Sequence, residues 1–181
     1  MDKRQTLKRR TLPRLWLVSD ARNDAALETA LRRLPRGSGF IFRHYRLAPE
    51  ERRRRFRSLA RVARQYGHLT IVAGPAALAR AWGAAGCYGA TGRRAAGGGL
   101  RLATAHTLAE LGAARRGTAS AVLLSPVFPT RSHPGQPTLG PVRFRLLAAR
   151  AGLPVIALGG MNRATARRLA WPRWAAIDGL S

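Results

Sequence analysis

The strongest constraint on this chain is a regular alternation. Short apolar runs rich in β-branched and aromatic residues are separated by longer stretches with helical spacing. Leu15–Ser19, Phe40–Phe42, Leu69–Val72, Cys87–Gly89, Leu100–Ala103, Ala121–Leu124, Pro154–Leu158 and Trp174–Ile177 read as strands. Between them Asp24–Leu34, Pro49–Tyr66, Pro75–Trp82, Thr107–Arg116, Val142–Ala151 and Asn162–Ala170 read as helices, with Pro, Asn or Thr near several starts and Gly after several ends.

Strands that alternate with helices pair in parallel, because each crossover helix carries the chain back to the same edge. Eight such units predict an α/β (β/α)8 TIM barrel, with an open doubly wound sheet as the alternative that periodicity alone leaves standing. At 181 residues the barrel is a trimmed one, since about 200 is the ordinary lower end for this architecture. The Gly-rich stretch Gly86–Gly99 leaves little room for a helix after strand four. The sequence stops at Ser181, so no closing helix is expected after strand eight. Residues 1–14 hold six cations and little apolar content, which predicts a mobile basic tail ahead of one domain over 15–181.

Hydrophobic residues make up 46% of the chain, enough for a real core and too many for a disordered polyelectrolyte. The net charge of +25 would normally bring nucleic acid or an anionic membrane to mind. Thirty-one of the thirty-three cations are Arg, however, and the accompanying wealth of Ala, Gly and Pro looks like a GC-rich coding bias. No nucleic-acid motif accompanies the charge, and aromatic residues that could stack bases are few. No apolar run nears the roughly 20 residues of a membrane span, and residues 1–10 lack the apolar stretch of a secretory signal. Cys87 is the sole cysteine, which excludes an internal disulfide and a Cys-based zinc site and suits a reducing cytoplasm.

In a parallel barrel the loops after the strands' carboxyl ends build the site. Gly159 and Gly160 join the seventh strand to a helix opening near Asn162, where backbone amides and the positive helix end suit a phosphate; a plain tight turn is the alternative. Thr130, Arg131 and Ser132 after strand six are donors suited to phosphate oxygens, although Arg131 is also one arginine among many. His106, at the end of strand five and ahead of Thr107-Leu108-Ala109-Glu110, is either an acid–base group or a helix-cap residue. Arg43 ends the second strand and would aim a permanently charged fork into the mouth. Arg52–Arg55 and Arg57, on a helix, read as a solvated cationic face.

These strand-end segments resemble the thiamine phosphate synthase and thiazole tautomerase (TenI-like) family, from Leu15 to Ser181. Thr104-Ala105-His106-Thr107-Leu108-Ala109-Glu110 is similar to its S-x-H-[ST]-x-x-E segment. Ser125-Pro126-Val127-Phe128-Pro129-Thr130 is similar to G-P-[IV]-[FY]-P-T, and Pro154-Val155-Ile156-Ala157-Leu158-Gly159-Gly160-Met161 to P-[VI]-x-A-[IL]-G-G-I. Leu15-Trp16-Leu17-Val18-Ser19-Asp20 resembles the family's opening strand, L-Y-[LV]-[VI]-T-D.

The resemblance implies a barrel that joins a pyrimidine methyl diphosphate to a thiazole phosphate, magnesium balancing the departing diphosphate. It implies that Thr130, Ser132 and Gly160 hold the thiazole phosphate while Arg43 and Thr104 face the diphosphate. In the TenI-like branch, the histidine aligned with His106 instead moves a proton on a thiazole carboxylate. The first half of the chain departs from the pattern. The family's Q-L-R-x-K becomes Ile41-Phe42-Arg43-His44-Tyr45, keeping the arginine and losing the lysine. Its I-N-D, with a magnesium-ligating aspartate, becomes Val72-Ala73-Gly74, and its H-L-G-Q-x-D becomes Tyr88-Gly89-Ala90-Thr91-Gly92-Arg93. His133 aligns with another expected lysine. Both metal carboxylates are therefore absent, and Arg93 and Arg94 stand near where one would be. Three functions follow: a divergent synthase, a TenI-like tautomerase relying on His106, and a non-catalytic binder of a phosphate ligand or RNA.

Overall fold

Residues of alternate parity on each strand face opposite sides, and this sorting builds the observed architecture. The computed structural model describes residues 12–89, 99–131 and 135–180. Its strands are β1 (Leu15–Val18), β2 (Gly39–Phe42), β3 (Leu69–Ala73), β4 (Gly86–Tyr88), β5 (Leu100–Ala105), β6 (Ala121–Leu124), β7 (Val155–Ala157) and β8 (Trp174–Ala176). They pair in parallel in chain order and close into an eight-stranded barrel. The open sheet is excluded by the seam between β1 and β8, where Leu15, Trp16 and Leu17 pair with Trp174, Ala175 and Ala176.

The helices are α1 (Leu27–Arg33), α2 (Pro49–Gln65), α3 (Ala76–Trp82), α4 (Leu108–Arg116), α5 (Gly140–Ala149) and α6 (Arg163–Leu169). Local sequence explains their starts. Pro49 opens α2, where the missing N–H costs nothing. Thr107 caps α4 by accepting from the Glu110 amide, and Asn162 with Thr165 forms a capping box at α6. The first helix begins later than its apolar spacing suggests, because Asp20 and Asn23 form a capping box that winds Ala21–Ala26 into a 3-10 turn ahead of α1. After β8 comes a 3-10 turn, Asp178–Leu180. Residues 90–98, where no helix is expected, lie outside the described residues, as do residues 1–11 of the expected tail. Leu12 packs on the barrel interior, and Pro13 accepts a hydrogen bond from Trp16 Nε1 at 2.9 Å.

The inner face carries Trp16, Val18, Ile41, Ile71, Leu102, Leu123 and Ile156, among others, with Ala73, Ala121 and Ala175 as small partners. Trp16 fills the floor, and Gly39 lies against its ring in the paired position on β2. The outward residues form two layers under the helices. One joins Leu17, Phe40, Phe42 and Val72 to α1, α2 and α3; the other joins Val122, Leu124, Val155 and Ala157 to α4, α5 and α6.

His68 anchors the loop before β3. It is 5% exposed, and its Nε2 donates to the Leu31 carbonyl at 2.8 Å. Burial, aided by the charge of Arg36, holds its pKa below the usual 6.5. The folded state therefore resists the proton that the unfolded chain accepts. This contribution to stability is complete above pH 6.5 and is lost as pH falls from there through the lower folded value. His68→Gln should flatten the fall in thermal midpoint between about pH 7 and pH 5, measured by circular dichroism. An unchanged slope would contradict this assignment.

Candidate active site

Strand parity decides which residues reach the mouth. Ile41 faces in, so Arg43, two residues on, also turns inward. Leu102 faces in, so Thr104 and His106 follow it upward, and Tyr88 continues the inner face of β4. Arg43, Tyr88, Thr104, His106, Ser125 and Thr130 line one cavity of about 550 Å³. His106 Nδ1 lies 2.7 Å from the Ser125 carbonyl. A carbonyl only accepts, so Nδ1 carries the hydrogen, and in the neutral ring Nε2 is the basic nitrogen. Glu110 accepts from the His106 backbone amide, so the carboxylate of α4 fixes the loop that carries the ring.

A second cavity, of about 260 Å³, opens beside the first and shares Thr130, Leu158, Gly159 and Ile177 with it. Gly160, Arg131 and Asp178 also line it. Gly159 and Gly160 both have positive φ, +93° and +62°, a region that side chains disfavour. Their turn is clamped to the loop after β6: Val127 N–H donates to the Leu158 carbonyl at 2.9 Å, and Phe128 N–H to that of Gly159 at 3.1 Å. Carbonyls thereby face the loop, and no hydrogen bond among the described residues takes up the amides of Gly159 or Gly160. Thr165 Oγ1 donates to the Gly160 carbonyl at 3.1 Å and fixes the turn from the other side. The side-chain oxygen of Asn162 already takes the Thr165 amide, so the cavity meets loop backbone rather than an open helix end. Ser132 and His133 lie outside the described residues, as do Arg93 and Arg94.

Arg43 is held in place rather than free. Its Nη2 donates to Asp20 at 2.9 Å, and its backbone amide to Ser19 Oγ at 2.8 Å. Burial of Asp20 works against its ionisation. Hydrogen bonds from Arg22 and the charges of Arg22 and Arg43 outweigh that, leaving its pKa below the usual carboxylate value. Ser19 Oγ also lies 2.8 Å from His44 Nδ1, whose Nε2 is 2.7 Å from Asp24. The sequence Ser19–His44–Asp24 looks like a nucleophile with its base and orienter. Ser19, however, is fully buried, and its oxygen accepts from the Arg43 amide, so the chain supports the β2 loop rather than attacking a substrate.

The helix arginines correct the expectation of a uniformly solvated face. Arg55 pairs with Asp24 and Glu28. Arg52 reaches over the barrel rim and donates to the carbonyls of Arg43 and Ala73, at 3.0 and 2.6 Å, while its guanidinium lies over the rings of Phe42, Tyr45 and Trp82. Strand-end carbonyls with no ladder partner need a donor, and a planar fork serves two at once. Arg52→Lys keeps the charge and loses that geometry, and should cost about 1.5–3 kcal/mol in denaturant unfolding. A change near zero would mean that the bridge is dispensable.

Magnesium requires oxygen ligands, usually including one or two carboxylates. At the end of β3 stand Ala73 and Gly74, and at the end of β4 the phenol of Tyr88. Among the described residues no three His, Cys, Asp or Glu side chains gather around a common point. The mouth carboxylates Asp20 and Asp178 are both ion-paired with Arg22. This donor set does not fit magnesium. Tyr88, Asp20 and Asp178 were not among the site residues expected from sequence. Strand parity alone would have reported Tyr88, while Asp178 depends on how the chain turns after β8.

Residues 15–177 match the family described as thiamine monophosphate synthase. The fold is similar to that of a thiamine phosphate pyrophosphorylase from Pyrococcus furiosus, at 22% identity and a TM-score of 0.75, covering 93% of this chain and 87% of that one. It is also similar to the citrate synthase SbnG, at 12% identity and a TM-score of 0.60, over 92% and 87% of the chains. The YdjI aldolase from Escherichia coli K12 shares 9% identity with a TM-score of 0.60, over 93% and 75%. No curated protein matches the chain significantly by sequence. Among the described residues no helix is long and apolar enough to cross a membrane.

Proposed function

The chain belongs to the thiamine monophosphate synthase family, and from that premise we propose that it is a thiamine phosphate synthase-like transferase acting on phosphorylated thiazole and pyrimidine substrates. The observation that carries this reading is the clamped Gly159–Gly160 turn facing Thr130 and Arg131 across a cavity of about 260 Å³. Loop amides, a hydroxyl and a guanidinium suit the three oxygens of a phosphate monoester. The wider cavity of about 550 Å³, running from Thr130 to Arg43, leaves room for the thiazole ring to meet the pyrimidine methylene.

In the reaction, the methylene C–O bond breaks, its electron pair leaves with the diphosphate, and the thiazole nitrogen lone pair forms the new C–N bond. Arg43 stands at the leaving-group end, where a positive fork stabilises the departing oxyanion. Incubation with both substrates should yield thiamine phosphate and diphosphate in equal amounts by chromatography. Absence of product at high protein concentration would contradict the transferase reading.

A second reading rests on His106. With Nδ1–H committed to the Ser125 carbonyl, Nε2 is available for proton transfer, which requires no metal. A tautomerase acting on a thiazole carboxylate would lose about 10²- to 10⁴-fold in turnover in His106→Ala while keeping its affinity. Equal turnover in wild type and variant would dismiss it.

A further inference from the structure

Beside the transferase cavities lies a third, of about 470 Å³, which no step above uses in full. It borders the wide cavity through Arg43 and the small one through Arg131. Arg22, Arg43, Arg46 and Arg131 line it, with Tyr45 and a single carboxylate, Asp20. From four guanidinium groups and one carboxylate, an excess of three positive charges faces one concave space. Such a surface raises the local concentration of anions and favours compact ones of high charge.

Its parts are positioned rather than merely crowded. Asp20 holds Arg22 Nε and Arg43 Nη2, each at 2.9 Å, fixing two forks on one side of the cavity. Arg43 Nε is buried and has no acceptor among the described residues, so the fold leaves one donor of this fork unmet. Arg46 is exposed on the same loop. Tyr45 is 63% exposed, and Arg52 beneath it steadies the ring. The cavity offers no carboxylate pair that could carry a divalent cation, because its one acid is consumed by two arginines.

We propose that this cavity is a diphosphate subsite that works by arginine alone, without a metal ion. Guanidinium forks bind phosphoryl oxygens bidentately and supply the neutralising charge directly. The inference rests on the transferase reading for the identity of its ligand, a diphosphate ester, but not for the binding itself. Neighbouring Arg43 and Arg131 would let one substrate span two cavities while its partner occupies the third.

Inorganic pyrophosphate is the probe, titrated calorimetrically into the full chain once with excess EDTA and once with excess magnesium. One-to-one binding in EDTA is expected. Arg46→Gln, a surface change that leaves the fold alone, should weaken it about tenfold, and Arg43→Gln by at least as much. Arg57→Gln together with Arg61→Gln, on the exposed side of α2, should leave it unchanged. Binding seen only with magnesium, stoichiometry well above one, or equal weakening in the α2 variant would each overturn the proposal. The transferase reading fails separately: an inactive protein that still binds pyrophosphate in EDTA keeps this subsite, and an active one that binds it only with magnesium loses it.

Discussion

Gly160→Ala is expected to lower affinity for thiazole phosphate at least about tenfold and to cost about 2–4 kcal/mol of folding stability. Two causes add. The residue sits at φ +62°, where a Cβ meets its own carbonyl, and that Cβ would stand 2.4 Å from the Pro129 carbonyl oxygen and 2.7 Å from Phe128 Cβ. Neither neighbour is the end of a flexible side chain, so the Pro129–Thr130 backbone must move away. That movement opens the space between the glycine amides and the Thr130 hydroxyl, which is the space a phosphate would fill. Calorimetric titration and urea unfolding read the two effects independently. Unaltered affinity with lowered stability would show that the turn is only structural.

Gly39→Ala should cost about 3 kcal/mol or more of folding stability, with ligand affinity retained wherever the protein remains folded. Its Cβ would lie 2.0 Å from Cε3 of Trp16, a rigid ring that is fully buried and tied to Pro13 by its indole N–H. Trp16 fills the barrel floor, and the branched residues Val18, Ile41, Ile71, Leu123 and Ile156 share the interior with it. Trp16 can occupy that floor because β2 presents hydrogen instead of a side chain at the paired position. Urea unfolding of Gly39→Ala tests this. A loss under about 1 kcal/mol would mean that the ring moves freely, against the close packing of the interior.

The contrast between these two glycines also shows where the sequence was informative. Eight apolar runs separated by helical spacing are enough to establish parallel strands with crossover helices, because parity and parallel pairing are local consequences of backbone geometry. Closure was less legible: nothing in the period of Trp174–Ile177 says that its partner is Leu15–Val18. The glycine turn and Thr130 were recognisable from residue type and position after β6 and β7. Arg43 was recognisable too, but its fixation was not, since Ser19 and Asp20 follow β1 and meet it only in the folded barrel.

Arg52 and Arg55 were misread for a related reason, whereas Arg54 and Arg57 are exposed as expected. Arg52 and Arg57 are the same residue on the same helix, and only the tertiary fold gives one of them unpaired strand-end carbonyls and three aromatic rings. A high background of arginine hides the few that matter. The same holds for Asp178, brought to the small cavity by the turn after β8, where Gly179 lies under the Met161 carbonyl. Its carboxylate opposes a phosphate, and Arg22 at 3.7 Å offsets part of that charge.

A crystal soaked with thiazole phosphate tests the phosphate cradle most directly. Density for the phosphoryl group is expected within hydrogen-bonding distance of the Gly160 amide and the Thr130 hydroxyl, with the ring extending toward Thr104 and His106. A ligand bound only among Arg22, Arg43 and Arg46, or none bound at saturating concentration, would contradict it.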